Sequence, residues 1–143
     1  MIWFNDTMPA LSALNQLSQN TLLETLDIRM EEIGDDFLRA SMPVDHRTHQ
    51  PYGLLHGGAN VVLAESLGST AGACCVDVRQ CRIVGLDINA NHLRSVTSGR
   101  VTGTATARHL GRSTQVWNID IVDERGKLIC TSRLTNAVIA MNR

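Results

Sequence analysis

Hydrophobic residues recur along this chain with two different periods, and each period predicts a different kind of element. Leucines at helical spacing predict a short N-terminal helix over Pro9 to Leu17. Apolar and polar residues then alternate from Leu26 to Ile33 and again from Phe37 to Val44. Because the turn-forming residues Gly34-Asp35-Asp36 separate these runs, they predict two strands joined as a hairpin.

The longest apolar run follows an irregular stretch, residues 45–55, which contains the helix breakers Pro51 and Gly53. From Ala59 to about Asp77 the chain is rich in alanine, leucine and valine, and Glu65 is nearly its only charged residue. A helix that is apolar almost all round is a buried helix rather than a surface helix.

Four further runs with strand character complete the chain, and polar turns separate them. The order of a helix, two strands, a long helix and four strands, without repeat or linker, predicts one α+β domain over residues 1–143. A six-stranded antiparallel sheet wrapped around the long helix is the simplest packing that buries so apolar a helix. The four predicted strands are Arg82 to Leu93, Gly99 to His109, Gln115 to Val122 and Lys127 to Ile139.

Composition is that of an ordinary globular protein. The 143 residues are 43% apolar and 19% charged, which suffices to bury a core without disulfides or a structural metal. With 13 basic and 14 acidic residues, the formal net charge is −1. This balance argues against a nucleic-acid partner, which would require a basic surface, but it is compatible with a ligand that carries a few phosphates.

The N-terminus has neither the basic nor the apolar part of a signal peptide, and no stretch is long enough to span a membrane. The four cysteines, Cys74, Cys75, Cys81 and Cys130, form no CxxC pair that would favour a zinc or redox site. We therefore expect a cytoplasmic protein with reduced cysteines, most of them small core residues.

Glu65 is the first candidate for chemistry, since buried carboxylates are rare unless they are paired or functional. Burial disfavours the charged form of a carboxylate, which suits a general base or a nucleophile that works near neutral pH. Ser69 lies four residues later on the same helix face and is placed to hold Glu65 or a water molecule. Two alternatives stay open: Glu65 as half of a structural ion pair, and Ser69 as a small packing residue.

His56-Gly57-Gly58 marks the start of the long helix, where free backbone N–H groups and the helix dipole favour negative charge. Glycine lets a substrate carbonyl approach that backbone closely, as an oxyanion site requires. Gly57 and Glu65 are eight residues apart, however, which separates them by about 12 Å along one helix. We therefore predict a dimer in which each site combines the Gly57 turn of one chain with Glu65 of the other.

A long block around these residues resembles a known family. It consists of Gln50 to Ala59, Ala64-Glu65-Ser66, Gly85 to His92 and His109-Leu110-Gly111, and the resemblance covers nearly the whole chain. The block is similar to the hotdog-fold acyl-CoA thioesterases of the PaaI-like family, above all to the bacterial 1,4-dihydroxy-2-naphthoyl-CoA thioesterases of menaquinone biosynthesis. This resemblance implies the hotdog fold, hydrolysis of an acyl-CoA with an aromatic acyl group, and no cofactor besides the substrate's coenzyme A.

The resemblance also implies roles for individual residues. Glu65 would be the catalytic carboxylate, as nucleophile or as base, and the Gly57 N–H would polarise the thioester carbonyl. Gln50 and His56 would orient the thioester and help its thiolate leave. The other residues that the resemblance marks are Ser69 and His92, which would place the hydrolytic water, and Gly85, Arg94, Ser95, His109, Gly111 and Arg112, which would contact coenzyme A.

Several other functions compete with this interpretation. The histidines His46, His49 and His56 lack the ordered spacing of zinc ligands, so no metal site is expected. A hydratase or dehydratase of the same fold would carry its histidine and acid in differently placed motifs, and a non-catalytic acyl-CoA-binding protein would not need the catalytic set. A proofreading thioesterase that acts on coenzyme A or carrier-protein thioesters remains the alternative. The family commonly forms homotetramers of dimers, and the acyl pocket is expected near Val61, Val62 and Leu63.

Overall fold

Six strands form one antiparallel sheet in the computed structural model, which describes residues 1–142. The strands are β1 (Arg29–Ile33), β2 (Phe37–Pro43), β3 (Cys81–His92), β4 (Arg100–Leu110), β5 (Thr114–Val122) and β6 (Leu128–Ala140). Their order across the sheet is β1-β2-β4-β5-β6-β3, so that β3 lies at an edge. Every second residue is buried through the first half of β4 and of β5, as the alternating sequence pattern predicts. The six-stranded antiparallel sheet is thus confirmed.

Among the described residues, three α-helices accompany the sheet. They are α1 (Leu11–Leu17), α2 (Leu22–Thr25) and α3 (Gly57–Cys74), and a 3-10 turn lies at Phe4–Asp6. The short N-terminal helix and the long helix are the predicted ones, whereas α2 and the 3-10 turn were not predicted.

The second helix, α2, occupies the stretch where the first strand was expected to begin at Leu26, so β1 starts only at Arg29. The Thr21 side chain accepts a hydrogen bond from the Leu23 N–H and caps this single turn. A four-residue helix is too short to show a hydrophobic period, which is why the pattern predicted a strand instead.

One face of α3 packs onto the sheet through apolar and small residues. Leu63 and Leu67 are fully buried, and a side chain at Gly68 would meet Leu134 of β6 at 2.7 Å. The opposite face, which carries Glu65, is only half-buried. The prediction of a helix buried all round is therefore wrong for the single chain, because one sheet covers only one face of a helix.

Buried side-chain amides tie α3 to the middle of the sheet. Gln115 Nε2 donates to the Gly72 carbonyl at 3.2 Å, and Asn136 Nδ2 donates to the Gly68 carbonyl at 3.3 Å. The Trp117 indole Nε1 in turn donates to Gln115 Oε1 at 3.0 Å. These bonds satisfy polar groups that would otherwise be costly to bury, and they fix the position of α3 on β5 and β6.

The N-terminal segment is held against the β1–β2 hairpin. Trp3 is 2% exposed, and its Nε1 donates to the Gly34 carbonyl at 2.7 Å. The Ile2 N–H donates to the Asp35 carbonyl at 2.9 Å. Since Leu14 of α1 also joins the core, the segment that precedes the sheet is packed onto it rather than extended away.

The edge strand β3 presents an apolar surface. Val84 is 46% exposed and Leu86 is 61% exposed. In the register with β6, Leu86 is an extra residue between Gly85 and Asp87, which makes a β-bulge. Along one side of β3 no strand of the described residues pairs with the backbone, so this edge is open to another chain.

Cysteine burial differs from the expectation. Cys130 is buried, but Cys74, Cys75 and Cys81 are half-buried rather than core residues. No helix within residues 1–142 combines the length and the apolar character needed to cross a lipid bilayer.

Candidate active site

The side chain of His56 caps α3 and leaves the first amides of the helix beside a cavity. Its Nδ1 accepts a hydrogen bond from the Gly58 N–H at 2.8 Å, so neutral His56 carries its proton on Nε2. A side chain at Gly57 would lie 2.7 Å from Nε2 of His92, so glycine is what allows His92 of β3 to cover this turn. The Gly57 N–H has no partner within the helix and can serve a carbonyl oxygen.

A cavity of about 320 Å³ opens at this turn. Its lining residues are Gln50, Leu54, Leu55, Gly57, Asn60, His92, Leu93, Arg94 and Ser95. The structure therefore brings together Gln50, Gly57, His92, Arg94 and Ser95, which the sequence marked separately. Asn60 was not predicted, because nothing along the chain links it to a histidine that lies 32 residues away.

Hydrogen bonds of its own backbone and side chain to the turn that follows hold Gln50 in place. Its backbone N–H donates to the Leu54 carbonyl at 2.8 Å, and the Gly53 N–H donates to the Gln50 carbonyl at 2.9 Å. The side-chain Oε1 accepts from the backbone N–H groups of Tyr52 and Leu54. With Oε1 occupied in this way, the Nε2 group is the part of the amide that can donate to a substrate oxygen.

The carboxylate of Glu65 lies directly against the backbone of β3. A side chain at Gly85 would come within 2.8 Å of Glu65 Oε2. Glu65 takes part in none of the ion pairs within residues 1–142, which removes the support for a purely structural pairing. The residue is half-buried rather than buried, because it lies on the uncovered face of α3.

Ser69, one turn beyond Glu65, lines a different space. This apolar cleft of about 690 Å³ lies between the N-terminal segment and the second half of α3, and Phe4 and Leu14 line its other side. The expected acyl-pocket residue Leu63 is fully buried in the core instead and cannot line a pocket. Val61 and Val62 are half-buried, and within residues 1–142 they line neither this cleft nor the cavity at the Gly57 turn.

The two groups of predicted catalytic residues are far apart in one chain. Glu65 meets β3 at Gly85, whereas Gly57 meets it at His92, seven residues further along the strand. At about 3.3 Å per residue, the two meeting points are separated by roughly 20 Å. One thioester cannot span this distance, so the helix arithmetic from the sequence agrees with the folded geometry.

The residues expected to contact coenzyme A also fall into two groups, one at the Gly57 turn and one away from it. Arg94 and Ser95 line the cavity at the Gly57 turn. His109 lies near the end of β4, and Gly111 and Arg112 lie in the β4–β5 turn. A side chain at Gly111 would meet His109 Nε2 at 2.5 Å, so this turn is closely packed.

Gly85 lies across the sheet from the start of β5, near the β4–β5 turn, and does not line the cavity at the Gly57 turn. Asn136 of β6 pairs with Gly85 on one side and with Gln115, just after that turn, on the other. Arg94 and Arg112 therefore belong to two different groups of residues in one chain.

A groove of about 600 Å³ continues from the cavity, and it shares Arg94 and Ser95 with it. Arg125 and Lys127 of the β5–β6 turn line this groove, and the sequence analysis did not predict them. The backbone N–H of Lys127, and after it that of Arg125, accounts for a pKa of Asp123 below its ordinary value. Asp123 is thus bound to the backbone, and the ion pairs within residues 1–142 include neither Arg125 nor Lys127.

Other nucleophiles are poorly placed for chemistry. Burial raises the pKa of Cys74 to about 11 and that of Cys75 to about 12, so both are protonated thiols near neutral pH. Within residues 1–142, no three histidine, cysteine, aspartate or glutamate side chains are grouped in a way that could hold a metal ion.

Comparison with known proteins bears directly on this site. The model of a family described as the Thioesterase superfamily matches residues 52–130. The chain is 55% identical to the 1,4-dihydroxy-2-naphthoyl-CoA hydrolase of Escherichia coli K12, over 97% of this chain and 100% of that protein. It is 52% identical to the proofreading thioesterase EntH of Cronobacter turicensis, over 97% of this chain and 99% of that protein.

Solved structures resemble the whole molecule. A mutant thioesterase from Pseudomonas aeruginosa has a TM-score of 0.96 at 53% identity, covering 99% of this chain and 100% of that chain. A thioesterase from Haemophilus influenzae has a TM-score of 0.94 at 51% identity, covering 100% of this chain and 98% of that chain. The likeness covers almost the whole chain, and α3 and β3 with it.

Proposed function

Because this chain belongs to the thioesterase superfamily, has the hotdog fold and is a thioester hydrolase that acts on acyl-CoA, we propose that it cleaves an aromatic acyl-CoA to the free acid and coenzyme A. The observation that carries the proposal is the apolar cleft that begins at Ser69, one helical turn from the Glu65 carboxylate. A cleft of about 690 Å³ has room for a fused ring system. The Escherichia coli relative is named for such a substrate.

In the proposed reaction, each of the predicted catalytic residues has its own role. The Gly57 N–H and the Gln50 Nε2 group donate to the thioester oxygen, where negative charge develops as the carbonyl carbon is attacked. Glu65 either attacks that carbon or takes the proton of an attacking water. His56 carries its proton on Nε2 and is therefore suited to stabilise the departing coenzyme A thiolate.

A second copy of the chain is part of the proposal, since Glu65 and Gly57 do not meet within one chain. Two β3 edges that pair antiparallel about a two-fold axis near Ile88 and Asn89 would set Gly85 opposite the partner's His92. Glu65 would then face the partner's Gly57 turn. Pairing would satisfy the open backbone edge of β3, and the half-exposed face of α3 would be covered by the second chain. We propose this homodimer as the catalytic unit, and its pairing into a tetramer stays a prediction.

The groove beside the cavity favours coenzyme A as the carrier. Arg94, Arg125 and Lys127 line this groove together with Asp123 and Glu124. Both carboxylates accept hydrogen bonds from backbone N–H groups, so the three cations are available to pair with the phosphates of a nucleotide. The identity to EntH supports the alternative of a proofreading thioesterase with a broad substrate range. The two functions differ in how strongly the apolar cleft selects the acyl group.

A substrate panel tests the proposal. We expect kcat/KM for naphthoyl- and benzoyl-CoA to exceed that for hexanoyl-CoA by about tenfold or more, because the apolar cleft would bury a planar ring well. Equal values across the panel would favour the proofreading alternative. Crotonyl-CoA tests for hydration in the same assay, and conversion of that substrate without release of free thiol would contradict hydrolysis as the main reaction.

The role of Glu65 has its own test. Replacing Glu65→Gln should lower kcat by about 100-fold or more, because an amide can neither attack nor accept a proton. Binding of a non-hydrolysable acyl-CoA thioether, measured by calorimetry, should persist. Glu24→Gln on α2 is the matched control and should keep wild-type turnover, since the Glu24 carboxylate accepts from the Asn20 N–H and does not line the cavity at the Gly57 turn. Unchanged turnover in the Glu65 variant would refute its catalytic assignment.

A further inference from the structure

Asn60 is a buried polar residue at the cavity to which no role has yet been given. It lies in the first turns of α3, is 4% exposed and lines the same space as Gly57 and His92. A side-chain amide in such a position is expected to have partners for both its oxygen and its nitrogen.

The nitrogen of this amide has a partner. Asn60 Nδ2 lies 3.3 Å from His92 Nδ1. Since Nδ2 only donates, His92 Nδ1 must accept, and a neutral ring then carries its proton on Nε2. Nε2 is the atom that faces Gly57, 2.7 Å from the point where a Cβ would be. The bond from Asn60 thus determines which atom of His92 is presented at the start of α3.

The oxygen of the amide has no partner. Asn60 Oδ1 is buried and makes no hydrogen bond within residues 1–142. A half-turn of the amide would exchange Oδ1 and Nδ2, and Oδ1 would then accept from a protonated His92 Nδ1. The orientation in the structure, with Nδ2 toward Nδ1, therefore selects the neutral ring protonated on Nε2, whereas the turned amide would hold a ring protonated on Nδ1, whether charged or neutral. An aspartate could only accept, and a leucine could do neither.

Few other groups around His92 could fix its tautomer. Arg94 is the only charged residue that lines the cavity, and it can donate but not accept. On α3, the Nδ1 of His56 is already bound to the Gly58 N–H. On β6, Cys130 pairs with His92 in register, and burial raises the pKa of its thiol to about 11. No carboxylate lines this cavity.

We propose that Asn60 is a positioning residue that holds neutral His92 with its proton on Nε2, so that His92 meets the substrate as a hydrogen-bond donor and not as a base. The inference rests on the proposed function, because a donor at this place matters only when a thioester or its attacking water occupies the cavity. It leaves attack or proton removal to Glu65 alone. His92 then orients the water through an Nε2–H bond and takes no proton from it.

The tautomer can be observed directly. In ¹⁵N-labelled protein, imidazole ¹⁵N–¹H correlation spectra at neutral pH should show His92 protonated on Nε2, with Nδ1 as the unprotonated nitrogen. Asn60→Asp should move the proton to Nδ1, because the introduced carboxylate accepts from it. Asn60→Ala should give a mixture of tautomers. Asn136→Ala removes another buried amide whose oxygen has no partner, and it should leave the His92 spectrum unchanged.

Kinetics then separate positioning from packing. If Asn60 acts through the tautomer, kcat should fall in the order wild type, Asn60→Ala, Asn60→Asp, with the last about tenfold or more below wild type and KM little changed. Lost packing alone predicts the reverse order for the two variants, because aspartate keeps the shape of asparagine and alanine does not. Thermal melting of both variants checks that the assayed protein is folded. If the aspartate variant does not fold, the ¹⁵N spectrum of the alanine variant decides, because lost packing alone would leave His92 protonated on Nε2.

Two results would overturn the inference. One is a wild-type His92 protonated on Nδ1, and the other is an aspartate variant that retains more turnover than the alanine variant. Failure of the proposed function is distinguishable from both outcomes. In that case wild-type protein would fail to hydrolyse any acyl-CoA of the panel, while the spectra would still report the tautomer.

Discussion

Glycine occupies the point where each reacting side chain lies on the backbone of a neighbouring element. Gly57 lies beneath His92, and Gly85 lies beneath Glu65. In both cases a Cβ atom would come closer than 3 Å to a nitrogen or oxygen of the reacting group. The smallest residue therefore fixes how near the functional side chain can approach, and these positions should be more sensitive in activity than in stability.

Gly85→Ala tests this at the carboxylate. The added methyl group would displace Glu65 Oε2 from its place at 2.8 Å, and kcat should fall by about tenfold because the carboxylate no longer meets the thioester at the right distance. The fold should tolerate the change, since the displaced atom is the end of a flexible, half-exposed side chain. Melting temperature should shift by less than about 4 °C.

Gly103→Ala is the matched control on β4. Its added methyl group would press on Leu67 Cδ2 in the core at 3.2 Å and would not touch Glu65. This variant should lose stability by about 1–3 kcal/mol and keep its kcat. A Gly85 variant that loses stability as strongly while retaining turnover would contradict the role given to this glycine.

Individual residues differ in how well the sequence predicts them. Glu65 stands out because it is almost the only charge in an apolar run, and Gly57 because it follows a helix cap. Asn60, Arg125 and Lys127 carry no such local signal. Their significance depends on a strand or a groove that reaches them only after folding, so no pattern along the chain could indicate it.

Helices and strands, like single residues, are predicted where the pattern along the chain is sufficient and missed where contacts between distant segments decide. The alternation of apolar and polar residues predicts the strands, and the length of the apolar run predicts α3. It does not reveal that the sheet covers only one side of α3, since both sides are apolar in sequence. The half-exposed side carries Glu65, and this side is the one that a second chain would cover.

The β5–β6 turn is the element whose role is easiest to test. The double variant Arg125→Ala, Lys127→Ala should raise KM for an acyl-CoA by about tenfold, because charge-assisted contacts to the phosphates are lost, and each tenfold change corresponds to about 1.4 kcal/mol. The same variant should hydrolyse the acyl-pantetheine, which has no nucleotide, with the kinetics of the wild type. Arg133→Ala removes a cation on another part of the surface and serves as the control.

Salt gives a second observable for this turn. Raising the ionic strength should weaken binding of the acyl-CoA to wild-type protein more than to the double variant. If the double substitution weakens binding of the acyl-pantetheine as much as binding of the acyl-CoA, the turn supports the fold and does not bind phosphate.

At the scale of the whole molecule, the predicted catalytic residues form two groups, one at Gly85 in β3 and the other at His92, where this strand ends. The six-stranded sheet and the long helix were predicted from the sequence and are confirmed by the structure, whereas α2 and the 3-10 turn were not predicted. The need for a second chain was predicted as well, but from a distance along one helix rather than from any pattern. Which edge the partner would use became visible only with the order of the strands, which places β3 outermost.

Mixing two inactive variants tests the shared site. Glu65→Gln and Gln50→Ala each disable a different half-site, so a mixed dimer contains one site with both wild-type residues and one with neither. If subunits exchange at random, half of the dimers are mixed and about a quarter of the wild-type activity should return. Refolding the two variants together from denaturant and assaying acyl-CoA hydrolysis measures this recovery.

The double variant Glu65→Gln, Gln50→Ala supplies the control for that experiment. Refolded together with either single variant, it should restore nothing, because no mixed site would then hold both wild-type residues. Activity that stays at the level of the separate variants in the first mixture would contradict the shared site, even if a dimer were found.

The two tryptophans of the chain lie in separate parts of the molecule, and this has a practical consequence. Trp3 is bonded to the β1–β2 hairpin beside the segment that borders the apolar cleft, whereas Trp117 is bonded within the amide network under α3. Their indole fluorescence therefore reports on different events. Replacing either one by phenylalanine leaves a single emitter, so that release of the N-terminal segment and melting of the core can be followed as two distinct optical signals.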